Sequence, residues 1–460
     1  MVPHVATDAP EGAVPLRLVA ANELESWLAG RTAAERQWLS RHGFAAKSGE
    51  WLALPGADGA VAEIVAGVER PLDVWSIAGL PGVLPAGAYR LADSPGAESA
   101  TALATGWALG TYEFTRYKTG RGSFPTLIAP EGTDLAEVSR VREAVFLARD
   151  LINMPSEDLG PAELAAVALD LAGQFGAESE VIVGDDLLVR NFPMVHAVGR
   201  AATGAPRLID IRWGDPTAPR ITLVGKGVCF DSGGLDLKTA EGMRWMKKDM
   251  GGAAAMLGLA RMVMDAGLPV RLRLLVPAVE NAVAGNAFRP GDILRSRLGK
   301  TVEIGNTDAE GRLILADALA YGAEEQPELM IDAATLTGAA RVAVGLELGA
   351  TFTDDDDLWQ ALERHARAER DPLWRMPLWQ PYRKSMESRI ADIDNVGTSR
   401  YGGAITAALF LQEFTGGAKS WVHFDIMGFN MTPRPGRPVG GEAFAIRALY
   451  RLLAERFPKP

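Results

Sequence analysis

The chain has 460 residues, 48% of them hydrophobic and 23% charged, too many for one compact core and suited to two or three domains of roughly 100–200 residues. Lys+Arg 47 against Asp+Glu 58 leaves a formal net charge of −11, which repels phosphate backbones and anionic membranes and sets nucleic acid aside as a first partner. One cysteine, Cys229, excludes an internal disulfide and thiolate-rich zinc sites, and with no two of the five histidines four apart a helical HExxH centre is excluded too, so any metal must rest on oxygen ligands, with an amine as the one other donor in reach.

The first sixteen residues lack a basic start followed by an apolar core, and no apolar run approaches the ~18 residues that cross a bilayer, so a cytoplasmic chain is expected. Residues 1–145 are Ala- and Gly-rich and read as a smaller α/β domain, with a strand over Val61–Val68, a helix over residues 102–117 and breaks at Leu80-Pro81-Gly82 and Ser94-Pro95-Gly96. A helical stretch over residues 137–153 leads into a connection at 146–160. Residues 161–460 then alternate strand and helix. Arg207–Trp213, residues 221–228, 270–279, 329–336 and 420–428 read as strands, while residues 251–267 and 313–325 read as helices. Such alternation predicts an α/β domain around a central, mainly parallel sheet flanked by helices, in which a site would lie beyond the carboxyl ends of the strands.

Three segments in that domain carry chemistry. VGKGVCFDSGGLDLK (residues 224–238) places Lys226, Asp231 and Lys238 close together. A separation of five puts Lys226 and Asp231 on opposite faces of a regular strand, so they converge only where the chain bends, for which Ser232-Gly233-Gly234 supplies freedom. MRWMKKDMGGAAAM (residues 243–256) places Asp249 just before the apolar helix. In NTDAEGRLILADAL (residues 306–319), Asp308, Glu310 and Arg312 stand at i, i+2 and i+4. On a helix the two acids would lie about 200° apart; in an extended segment turning into a helix near Gly311 all three share one face, close to amides that favour anions. Each segment alone has a plainer reading: a surface ion pair, an N-terminal helix cap at Asp249, and a capped helix start with an ion pair. Taken together, Asp231, Asp249, Asp308 and Glu310 bring four negative charges into one crevice. Like charges disfavour ionisation, and two divalent cations would balance them.

These residues resemble the leucyl aminopeptidase family, two-metal cytosolic exopeptidases. NTDAEGRL corresponds to the family signature and VGKG…FDSGG…K…KDMGGAA to its other metal-binding stretch, a likeness that spans about residues 150 to 460. The resemblance implies that Lys226, Asp231, Asp249 and Glu310 hold one metal and Asp231, Asp308 and Glu310 the other, with Mn²⁺, Zn²⁺, Mg²⁺ and Co²⁺ all suited to the donors. It implies that Lys238 and Arg312 are catalytic, and that a bicarbonate ion rests against Arg312 and the backbone of Ala309, Glu310, Gly311 and Arg312, near Leu336. Met246, Thr335 and Gly338 fall where the family lines the pocket for the first side chain. The expected activity is removal of an N-terminal residue, leucine or another bulky apolar one, from peptides with a free amine, and the expected assembly is a homohexamer. A two-metal phosphoesterase is the second enzyme reading, disfavoured because such sites usually include histidine and none lies in these segments. A non-catalytic DNA-binding role runs against the acidic charge. The acidic run at residues 354–357 reads as a solvated loop, and His423 as a hydrogen-bonded core residue.

Overall fold

The computed structural model describes residues 2–459. The chain divides into two units, Met1–Phe146 with Thr432–Val439, and Leu147–Met431 with Gly440–Pro460; the division falls inside the helix Leu135–Asn153.

In the first unit, six strands form one sheet in the order Val5–Ala6, Thr126–Ile128, Ala88–Leu91, Val14–Ala20, Val61–Val68, Trp51–Pro55, parallel except for the last pair. The long helix of this unit runs over Ala97–Leu109 rather than over residues 102–117. Gly96 starts it at φ +79°, and Gly110 stops it where a Cβ would stand 2.1 Å from the Ala78 carbonyl oxygen. Only glycine allows that approach. Fully buried Trp107 donates its Nε1 to the Pro125 carbonyl at 3.2 Å and anchors the helix in a core with Leu16, Ile64, Leu103 and Leu127. The late segment Thr432–Val439 completes this unit, with the Arg437 guanidinium 4.2 Å from the centre of the Trp75 ring.

The second unit is built on nine strands: β1 (Glu178–Val183), β2 (Arg207–Trp213), β3 (Arg220–Gly225), β4 (Gly227–Asp231), β5 (Arg271–Asn281), β6 (Leu329–Ala334), β7 (Gly349–Phe352), β8 (Leu373–Arg375) and β9 (Trp421–Asp425). Their order is β8-β7-β9-β6-β3-β5-β2-β1, with β4 also on β5. The centre, β9-β6-β3-β5, is parallel, whereas β2 on β5, β1 on β2 and β7 on β9 are antiparallel. The central runs are Val-, Ile- and Leu-rich without alternation because both of their faces are covered. One cover is helix α1 (Gly251–Ala266), buried on almost every side. It reaches the sheet at backbone distance because Gly252 has no Cβ; one there would lie 2.0 Å from the Ala333 carbonyl oxygen.

The apolar run at residues 221–228 is not one strand. It breaks at Lys226, whose N–H makes the last bond to β6, donating to the Ala333 carbonyl at 3.0 Å, and continues as β4 along β5 with a bulge between Val228 and Phe230. A bulge adds one residue and shifts side-chain parity. The bend joining Lys226 and Asp231 therefore lies between them, not in the glycines beyond. Gly233 and Gly234, at φ +88° and +65°, instead turn the chain so that the Lys238 N–H donates to the Ser232 carbonyl at 2.9 Å.

His423 on β9 and Asp332 on β6 are both fully buried, with imidazole Nδ1 2.6 Å from Asp332 Oδ1, while Trp421 Nε1 donates to Oδ2 at 2.7 Å. Burial lowers the imidazole pKa, but the Asp332 carboxylate outweighs it and leaves His423 above the ordinary 6.5. A raised folded pKa stabilises fully below the unfolded value and fades as pH climbs through the folded one. The melting-temperature difference between wild type and His423→Gln is thus expected to be larger near pH ~6 than near pH ~9. Calorimetric scans across that range check it, and a difference independent of pH would contradict it. The acidic run at residues 354–357 is no loose loop either: Asp355 accepts the Leu358 N–H at 2.9 Å and caps the helix Asp356–Ala368.

Candidate metal centre

The centre forms where β3 and β6 end side by side and the chain leaves the sheet at Lys226 and Thr335. The loop after β4 delivers Lys238, a short 3-10 turn (Met246–Met250) delivers Asp249, and the approach to helix α2 (Gly311–Ala323) delivers Asp308 and Glu310. Asp231, Asp308 and Glu310 each bring a carboxylate oxygen within 4.8 Å of the other two. Lys226 Nζ lies 2.6 Å from Asp249 Oδ2 and 3.0 Å from Glu310 Oε1; Lys238 Nζ lies 2.8 Å from Asp231 Oδ2 and also pairs with Asp308. All seven residues singled out as ligands or catalytic groups, Arg312 included, thus gather around one crevice, although the third stretch lies some fifty residues beyond the first two. Lys226 fits only because Gly311 is bare, since a Cβ there would stand 2.5 Å from its Cε.

Two local readings are corrected. Asp249 does not cap α1: the capping position is Met250, without a side-chain bond, and Asp249 Oδ1 instead accepts the Thr335 hydroxyl at 2.7 Å. The segment before α2 is a turn rather than extended chain, with the Asp308 N–H donating to Asn306 Oδ1 at 2.7 Å. Asn306 side-chain bonding wins over extension there. The helix nevertheless begins at Gly311, and Asp308 and Glu310 still converge.

The electrostatics show strain between like charges. Burial and then the Asp231 carboxylate push Glu310 up to about 8 and Asp308 up to about 6. Burial also works on Asp249, but Lys226 and Lys248 overcome it and pull that carboxyl down to about 2. Lys226 and Lys238 lose solvation, yet their carboxylate neighbours hold both above the ordinary lysine range. Three ammonium groups, Lys226, Lys238 and Lys248, thus face four carboxylates, and the shortfall appears as raised acids at Glu310 and Asp308. Buried Asp249 Oδ2, Asp308 Oδ1 and Glu310 Oε1 face only the ammonium groups of Lys226 and Lys238. Hard oxygen donors, clustered, buried and short of positive charge, fit divalent cations.

A cavity of about 370 Å³ opens onto the cluster, and Met246, Thr335, Gly338, Ala309, Leu336 and Arg312 all line it. Arg312 is 7% exposed; burial lowers its pKa to about 10, its Nη1 donates to the Asn395 carbonyl at 2.6 Å, and its Nε is buried without a partner. A buried guanidinium with a spare donor suits a small anion. The Leu336 amide is already engaged, donating to Asp425 Oδ1 at 3.0 Å.

Sequence reasoning missed the residues that hold these groups in place. Asn281, at the end of β5, donates to Asp231 Oδ1 and to the Thr307 carbonyl. Asn395 accepts the Gly305 N–H at 2.8 Å and donates to the Asn306 carbonyl at 2.8 Å, so it fixes both the Asp308 turn and Arg312. Asp425 holds the Leu336–Thr337 backbone. No local pattern marks these residues, since each acts on a segment at least 26 positions away.

Residues 146–450 match the model described as the cytosol aminopeptidase family, catalytic domain, and residues 14–130 that of the M17 aminopeptidase N-terminal domain. A probable cytosol aminopeptidase of Roseiflexus castenholzii is 42% identical over 374 residues, covering 77% of this chain and 76% of that protein. The crystal structure of a cytosol aminopeptidase from Coxiella burnetii superposes with a TM-score of 0.95 at 46% identity, over 98% of this chain and 99% of that one. A bottromycin maturation enzyme, solved in complex with Mn, gives 0.86 at 35% identity over 96% and 99%.

Proposed function

Because the chain belongs to the cytosol aminopeptidase family and is a metallo-exopeptidase, we propose that it removes the N-terminal residue of peptides at this carboxylate-and-lysine crevice. The observation that carries the reading is the cluster of Asp231, Asp308 and Glu310, with oxygens within 4.8 Å of one another beside Lys226 and Asp249. In this reading Lys226, Asp231, Asp249 and Glu310 hold one divalent ion, and Asp231, Asp308 and Glu310 hold a second. When bound, such a pair supplies an acidified water and polarises the scissile carbonyl.

The remaining work falls to the chain's own side chains. Lys238 lines the cavity and reaches Asp231 and Asp308 from a loop, so its ammonium can donate to the oxygen on which negative charge develops. Arg312, with the backbone from Ala309 through Gly311, would hold bicarbonate, whose part is to accept and return a proton. The spare Arg312 Nε supports that placement. The buried thioether of Met246, beside Thr335 and Gly338, offers an apolar stem a surface to pack on, which supports leucine or another bulky apolar residue in first position. Manganese is the metal for which a relative speaks, the bottromycin enzyme solved with Mn; zinc suits the same donors. The family likeness also supports hexameric assembly and cytoplasmic residence; among the described residues no helix is long and apolar enough to cross a membrane.

A free α-amine is essential in this scheme. Leucine amide is expected to be hydrolysed and acetyl-leucine amide to be left intact, by at least about a hundredfold in kcat/KM, since losing a group that contacts the buried charged site costs about 3 kcal/mol. Chromatographic assay of both amides with added Mn²⁺ tests it, and efficient cleavage of the acetylated amide would overturn the exopeptidase reading.

A further inference from the structure

Lys238 owes its place to a residue that never reaches the chemistry. The loop that carries it, residues 232–238, is held in two halves. Its first half is tied to the end of β5, where the Ser232 N–H and hydroxyl both donate to the Asn281 carbonyl, at 3.1 and 2.7 Å. Its second half has no apolar anchor, because Leu235 and Leu237 are 43% and 61% exposed and bury little surface. What holds it is a reciprocal clasp between Asp236 and Thr307, 71 positions apart. The Asp236 N–H donates to Thr307 Oγ1 at 2.9 Å, and the Thr307 N–H donates to Asp236 Oδ2 at 2.7 Å. The hydroxyl of fully buried Thr307 donates onward to the Gly233 carbonyl at 2.6 Å. Gly233 permits the fold-back, since a Cβ there would stand 2.4 Å from the Asp236 carbonyl oxygen. Asp236 itself is exposed and is not among the residues that line the cavity, whereas Lys238 is.

Resting on the aminopeptidase reading and deepening it, we propose that Asp236 is a positioning residue for Lys238, and that its clasp on Thr307 fixes where the ammonium stands over the carboxylate cluster. Thr307 directly precedes Asp308, and the Lys238 ammonium reaches both Asp231 and Asp308. The clasp therefore joins the loop that brings the donor to the turn that brings one of its partners. A lysine stem is flexible, so its ammonium is only as well placed as the backbone beneath it. Without the clasp, Gly233 and Gly234, at φ +88° and +65°, leave the second half of the loop free to swing about the part tied to β5. A donor aimed at developing charge tolerates such displacement poorly, because about 1 Å of misplacement can cost about a hundredfold in rate.

The experiment measures kcat and KM for Leu-p-nitroanilide, with bound metal counted by mass spectrometry, in Mn²⁺-loaded wild type, Asp236→Ala, Asp236→Asn, Lys238→Ala and the double variant Asp236→Ala/Lys238→Ala. Asp236→Ala empties no buried space, and it should lower kcat about 10–100-fold with KM and metal content unchanged. Asp236→Asn keeps an oxygen for the Thr307 N–H and should recover most of that loss. Because Asp236 acts only through Lys238, the double variant should be no slower than Lys238→Ala alone. A wild-type kcat in Asp236→Ala, losses that multiply in the double variant, or an asparagine variant as slow as the alanine one would overturn the inference while wild type still cleaved the substrate. Metal lost in step with activity in Asp236→Ala would overturn it as well, by making the clasp a support of the carboxylates instead. No cleavage by wild type would sink the aminopeptidase reading itself.

Discussion

Replacing Glu310 by alanine is expected to lower kcat by at least about a thousandfold and to lower bound metal in the same preparation, because several kcal/mol of charge stabilisation rest on the ions this side chain would bridge. Glu310 is 1% exposed, and the Lys226 ammonium pairs with its Oε1 at 3.0 Å. Removing the carboxylate leaves Lys226 with Asp249 alone and takes away a group within reach of both proposed ions. Glu310→Gln keeps the shape and removes the charge, so it should resemble the alanine variant in metal content while sparing stability. Metal analysis by mass spectrometry alongside single-turnover kinetics decides it; two ions bound and full activity in either variant would remove Glu310 from the centre.

Lys238→Ala is expected to act differently, lowering kcat by about 10²–10³-fold with bound metal retained. The ammonium belongs to the loop after β4, 15% exposed, and it touches the carboxylate cluster from the cavity side rather than from within the sheet. A donor aimed at developing charge strengthens the transition state more than the ground state, so KM should change little. An unchanged kcat would take Lys238 out of the chemistry. Loss of metal in step with activity would recast it as a structural counter-charge.

Much of this centre was legible in the sequence because its donors cluster in three short stretches whose composition is hard to explain otherwise. Four acids, two lysines and an arginine set among glycines at strand ends point to a crevice, and the structure brings all seven to one place. What was not legible depended on backbone detail or on distance. The break at Lys226, where the pairing with β6 ends while that with β5 resumes in β4, and the bulge before Phe230 are set by partner strands far along the chain, which no run of apolar residues reveals. Asp249 read as a cap because it precedes a helix, yet the 3-10 turn before α1 points its carboxylate at Lys226 and Thr335. The antiparallel flanks of the sheet also escaped, since strand direction is set by where connections land rather than by the strand's own residues. The six-stranded sheet of the first unit hid in Ala- and Gly-rich sequence with little alternation, where a glycine can serve close packing, as Gly67 does where a Cβ would stand 2.1 Å from the Lys47 carbonyl oxygen.

The segment Thr432–Val439 carries a consequence for biosynthesis. It belongs to the amino-terminal unit, where Arg437 covers the Trp75 ring, yet every residue from 147 to 431 leaves the ribosome before it. Nascent domains usually fold as they emerge, but here the earliest one waits with that indole uncovered until residue 439 has been translated.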